Sequence, residues 1–136
     1  GGPPEGIDYK LEVLKGGTVV EGLSVAVQNH YTFGRQPNNH FVLEHPSISR
    51  LHAVLQFEDG SGNIFLYDNS STHGTFLNKR RLKPKVYAPV RVGDVIKFGQ
   101  SSRLYILQGP QDLMPEEGPS LQQRKDMAAL AVQAQL

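Results

Sequence analysis

Hydrophobic positions between residues 9 and 108 recur every second residue over short runs, with polar turn residues between the runs. Tyr9, Leu11 and Val13 alternate with Lys10 and Glu12, the period of a strand with one face buried. Gly16-Gly17 interrupts the run, and Leu23, Val25 and Val27 resume the alternation, which predicts a second strand there. Further strand signals lie at 31–33, 41–43, 53–57, 64–67, 75–77, 95–98 and 104–107. Between them sit Pro37-Asn38-Asn39, Asp59-Gly60-Ser61-Gly62-Asn63, Asn69-Ser70-Ser71 and Gly93-Asp94, residues that accept positive φ or close turns with their own side chains. Many short strands at this spacing predict an all-β sandwich or barrel.

Past residue 109 the pattern changes. Residues 110–119 form a linker rich in Pro, Gly, Asp and Glu. Ser120 and Gln123 then make a capping-box pair, and Met127, Leu130, Ala131 and Ala134 repeat at helical spacing. The expectation is a short C-terminal helix over 120–136, about four turns and marginal by itself in water. The chain thus divides into an extension (1–8), one β domain (9–109), a linker (110–119) and a helical segment (120–136). The opening Gly1-Gly2-Pro3-Pro4 has neither an initiator Met nor a signal-peptide pattern and reads as an excised start.

Composition narrows the function classes. Hydrophobic residues make up 38% of 136 positions, enough for one modest core. Cysteine is absent, so disulfides and thiolate metal sites are excluded, and an intracellular setting is expected. The formal net charge is only +1, which argues against sequence-independent nucleic-acid binding as the main task. One basic run, Lys79-Arg80-Arg81-Leu82-Lys83-Pro84-Lys85, reads as a charged hairpin edge or as a contact for an acidic ligand such as RNA.

The chemistry-bearing residues lie in the turns. Gly34-Arg35 follows one strand signal, and His45-Pro46-Ser47-Ile48-Ser49-Arg50-Leu51-His52 follows another. Asp68-Asn69-Ser70-Ser71-Thr72-His73-Gly74-Thr75 follows a third. These turns offer a guanidinium, hydroxyls, an imidazole and backbone amides near glycine, with few carboxylates. Such donors suit a dianionic phosphate, and Arg35 is able to give it two parallel charge-assisted bonds. Spacing alone does not bring the turns together, because successive connections around one short strand are expected at its opposite ends. The spacing of His40, His45 and His52 matches no zinc pattern, and no metal or other cofactor is expected. No Gly-x-Ser-x-Gly nucleophile elbow or paired catalytic carboxylates appear, so no enzymatic activity is expected.

Four pieces in order resemble the signature of the forkhead-associated (FHA) family. They are Phe33-Gly34-Arg35, Ser49-Arg50-Leu51-His52, Ser71-Thr72-His73-Gly74-Thr75-Phe76-Leu77-Asn78 and Val92-Gly93-Asp94-Val95-Ile96-Lys97-Phe98-Gly99. The resemblance implies an eleven-stranded sandwich of two twisted sheets whose loops at one end grip a phosphothreonine-bearing protein. Carried over residue by residue, Arg35 and Ser49 would hold the phosphate, with Arg50 and Thr72 assisting. His73 stands where many members have an Asn that touches the peptide backbone. Gly34, His52 and Gly74 would order the loops, and Asn78 would tie down the third. The Gly that usually follows that Asn is Lys79 here, which puts the next turn in question. The family implies a non-enzymatic recognition module in the nucleus or cytoplasm, and a monomer is expected. The competing expectation is a scaffold that holds an unphosphorylated partner on a sheet face.

Overall fold

The alternation of the sequence becomes two packed β-sheets in the computed structural model, which describes residues 8–110. The strands are β1 (Lys10–Lys15), β2 (Thr18–Ser24), β3 (His30–Gly34), β4 (Phe41–Val42), β5 (Ala53–Phe57) and β6 (Ile64–Asp68). They continue as β7 (Thr75–Leu77), β8 (Arg80–Arg81), β9 (Tyr87–Val90), β10 (Val95–Phe98) and β11 (Leu104–Gln108). One sheet has the order β2-β1-β11-β10-β7-β8, the other β4-β3-β5-β6-β9. The all-β, eleven-stranded expectation holds, and no helix occurs among the described residues. The expected helix at 120–136 and the linker after residue 110 lie outside them.

The period of two shows directly in burial. In β1, Leu11 and Val13 are fully buried while Lys10 is exposed, and in β5 Ala53, Leu55 and Phe57 face inward. The core fills the space between the sheets, and Phe33 of one stacks on Phe98 of the other with ring centroids 4.8 Å apart.

Two expectations are corrected. The second strand runs over Thr18–Ser24, earlier than Leu23, Val25 and Val27 suggested. Gly16 and Gly17 at φ 58° and 79° close a hairpin that starts β2 at once, and as an edge strand it needs no alternation of its own. Val25 still enters the core just past the strand, and Val27 is 82% exposed. Strand β9 went unpredicted because Pro89 interrupts it, and a proline is tolerated there because β9 is an edge strand.

Strand β4 decides where the loops go. It pairs parallel to β3, Phe33 opposite Phe41 and Gly34 opposite Val42. The chain therefore turns back after β3 and leaves β4 at the same end as it left β3. Ala53 at the start of β5 pairs with Phe33 and with Asp68 at the end of β6. The loops 35–40, 43–52 and 69–74 consequently share one end of the sandwich, and the opposite-ends expectation fails because β4 is parallel.

Candidate functional site

At that end the first two loops are laced through their backbones. Arg35 and Gln36 donate from their amides to the carbonyls of Ser49 and Arg50 at 3.0 and 3.1 Å. The chains run so close that a Cβ on Gly34 would stand 2.0 Å from the Arg50 carbonyl oxygen, so only glycine fits. The Arg35 Nε–H donates to the Ile48 carbonyl, which anchors the exposed guanidinium beside Ser49. Its terminal nitrogens remain for a ligand.

His52 joins the second loop to the third. It is fully buried, and its Nδ1 accepts the Ser49 amide at 3.0 Å. Its Nε2 lies 2.8 Å from the Gly74 carbonyl oxygen and donates to it, so both nitrogens are used by one neutral tautomer. Burial lowers its pKa below the usual imidazole value, partly offset by the Gly74 carbonyl. The third loop is fastened from below by Asp68, 3% exposed. Its Oδ2 accepts the Ser71 amide at 3.1 Å, and its Oδ1 accepts the Ser71 and Thr75 hydroxyls at 2.5 and 2.6 Å. This places the Thr72 amide 3.4 Å from the Ser49 Oγ, to which it donates. The Ser49 hydroxyl keeps its own proton for an acceptor outside.

Arg35, Ser49 and Thr72 are thereby brought together. The side chains of Arg50, Thr72 and His73 are exposed at the same rim, and Ser49 is half-buried. Gly74, at φ 87°, supplies the carbonyl that accepts both His52 and the Gly99 amide. Asn78 does not join them. It sits at the far end of β7, where its Oδ1 accepts the Val95 amide at 2.9 Å and its Nδ2 donates to Asp94 at 3.0 Å. The expectation that it ties down the third loop is corrected: it ties the β7–β8 hairpin to the start of β10. Lys79 adopts φ 71° after Asn78 at 50°, so the hairpin keeps its left-handed geometry without the glycine.

Four contributors were not singled out from sequence. Asn39, buried, donates from Nδ2 to the Gln36 and Arg50 carbonyls at 2.8 and 2.7 Å. Ser47 accepts the Gln100 amide at 2.8 Å and so pins the second loop to the turn after β10. Asp68 is the third. Arg81, from the basic run, donates to the Thr72 carbonyl at 3.3 Å with its side chain lying against Gly74. Only its place in a basic stretch hinted at this, since the contact needs β8 folded beside β7. Glu44 is the sole carboxylate in loops 35–40, 43–52 and 69–74, so the rim is rich in donors. Among the described residues no group of three or more His, Asp or Glu is placed to hold a metal ion.

Comparison with known proteins places these loops in context. The family model described as FHA domain matches residues 31–99. Human kanadaptin is 49% identical over 113 residues, covering 76% of this chain and 15% of its own. The human nuclear inhibitor of protein phosphatase 1 is 37% identical over 116 residues, covering 85% of this chain and 32% of its own. The chain thus spans a third or less of the length of these two relatives. The solution structure of the FHA domain of TbPar42 superposes with a TM-score of 0.66 at 39% identity, covering 80% of this chain and 60% of that one.

Proposed function

The chain belongs to the FHA-domain family, and on that footing we propose that it is a non-enzymatic module binding phosphothreonine-containing protein segments at the loop end of the sandwich. The observation that carries the reading is the junction of three loops at Ser49. Its carbonyl accepts Arg35, its amide reaches His52, and its Oγ accepts Thr72. A phosphate set against that junction meets the Arg35 guanidinium, the Ser49 hydroxyl and the neighbouring Arg50 and Thr72. It carries roughly −1.5 to −2 charge at neutral pH, and the rim offers donors to it. His73 and Gly74 then face the peptide beside the phosphothreonine. A nuclear or cytoplasmic setting suits this role, and the likeness to a nuclear phosphatase inhibitor supports it.

Charge-assisted hydrogen bonds net about 1.5–3 kcal/mol each, and peptide ordering takes part of that back, so affinity on the order of micromolar is expected. The test is a degenerate phosphothreonine peptide library titrated beside its unphosphorylated counterpart. Binding is expected only with phosphate. Arg35→Ala should weaken it by about 10–100-fold while the fold survives, because the Arg35 side chain is exposed. Equal binding of both libraries would turn the reading toward a scaffold that uses a sheet face.

A further inference from the structure

No Asp or Glu occurs between Asn69 and Gly93, whereas the same stretch carries Lys79, Arg80, Arg81, Lys83, Lys85 and Arg91. The fold sets Arg81, Lys83 and Lys85 beside the third loop. Residues 81–85 leave β8, cross from the six-stranded sheet toward β6 of the other, and bond on the way to both residues that bracket that loop. The Leu82 amide donates to the Thr75 carbonyl and the Lys85 amide to the Asp68 carbonyl, each at 2.8 Å. Arg81 donates to the Thr72 carbonyl at 3.3 Å, and the Lys85 ammonium donates to Asn69 Oδ1 at 2.8 Å. Thr72 is also the residue whose amide meets the Ser49 Oγ, so the basic segment touches the loop where the three loops join. Arg81, Lys83 and Lys85 are all exposed, and Arg81 and Lys85 keep N–H donors beyond those spent on Thr72 and Asn69. The carboxylates that bound the stretch are committed elsewhere: Asp68 is buried on Ser71 and Thr75, and Asp94 accepts Asn78 and the Arg91 amide. The opposite flank differs. Beside the second loop, Glu21 and Glu44 line one cavity together with Lys15 and Arg103, so charge there is balanced.

We propose that Arg81, Lys83 and Lys85 form a second subsite, which takes Asp and Glu residues on one side of the ligand's phosphothreonine. It rests on the phosphothreonine reading of the rim and names the class of segment selected, an acidic one. Cations strung along an exposed segment, rather than converged on one point, suit several single carboxylates better than one further dianion. Because the positive charge is unbalanced only on the third-loop side, carboxylates benefit in one direction from the phosphothreonine and not in the other. Exposed ion pairs are individually weak, so the three cations together should strengthen binding by about 5–10-fold.

The test titrates the full 136-residue chain with degenerate phosphothreonine libraries that carry a Glu run before the phosphothreonine, a Glu run after it, or Gln in both places. One Glu library should bind about 5–10-fold tighter than the Gln library, and the advantage should shrink as salt rises. Lys83→Glu should bring that ratio close to unity. Lys83→Glu with Lys85→Glu should let a library with Lys in those places bind best, a reversal that a misfolded variant cannot give. Lys15→Glu makes the same change in net charge as Lys83→Glu but on the opposite flank, and it should leave the ratio within about twofold. Equal binding of the Glu and Gln libraries would overturn the subsite and leave the phosphothreonine reading standing, whereas failure of every library to bind would remove both. Loss of the preference in Lys15→Glu would also overturn it, reducing the effect to the general field of the molecule. So would two other results: a single phosphoserine in place of the Glu run binding about tenfold tighter still, which would assign the edge to a second phosphate, or single-stranded RNA held through Lys83 without competition from the phosphopeptide.

Discussion

His52 bridges two loops with one ring, and its environment makes a pH dependence. Burial holds its folded pKa below the ordinary 6.5, whereas the unfolded chain leaves the ring solvated. As pH falls through 6.5 the unfolded state takes up a proton before the folded state does. The stability tied to neutral His52 is therefore complete above that value and is lost progressively below it, until the folded pKa is passed. The urea midpoint should drop between about pH 7.5 and about pH 5.5, and His52→Gln should show a smaller drop. Lys79 offers a second residue-scale test. A non-glycine residue at φ 71° pays a left-handed cost, partly offset by glycine's greater unfolded entropy. Lys79→Gly should raise stability by about 0.5–1 kcal/mol with an unchanged denaturant slope.

At the scale of elements, the third loop depends on a carboxylate that is not itself at the rim. Asp68 ends β6 and holds Ser71 and Thr75 on the far side of the loop, while the Lys85 amide bonds its carbonyl. Asp68→Ala would orphan the Ser71 amide and two hydroxyls in a buried place, each worth about 1–3 kcal/mol when unsatisfied. A loss of about 3 kcal/mol is expected in urea unfolding, with weaker phosphopeptide binding because Thr72 loses its seat beneath Ser49. Strand β4 has a comparable influence through two residues. Its parallel pairing returns loop 43–52 to the end where Arg35 waits. Neither the direction of a two-residue strand nor the partners of Asp68 has a periodic signature in the sequence.

For the whole molecule, the sandwich mounts the three donor-rich loops at one end. Phe33 precedes Gly34, and Phe98 precedes Gly99, so the stacked pair that joins the sheets lies directly under the loops. Ile48, 2% exposed, drops from the second loop into the same core, and the Arg35 Nε–H is received by its carbonyl. Because the loops are anchored in the core, little ordering is left to be done on binding. A phosphothreonine peptide at about 100 times its Kd should stabilise the fold by about 2.7 kcal/mol through mass action. Thermal unfolding should register that rise, and the unphosphorylated peptide should leave the midpoint unmoved.

Most of the strands, most of their inward residues and the identity of the loop donors were legible in the sequence, whereas β8, β9 and the true bounds of β2 were not. Alternation such as Tyr9, Leu11 and Val13 is a local consequence of the pleat, and the ordered motifs around Arg35, Ser49 and Thr72 marked the family. Tertiary structure alone decided that those donors meet, that Asn78 serves the opposite end, and that Arg81 reaches the Thr72 carbonyl. These outcomes depend on strand direction and on which edges pair, and such long-range choices are settled by the burial of both sheets together rather than by any stretch of neighbours.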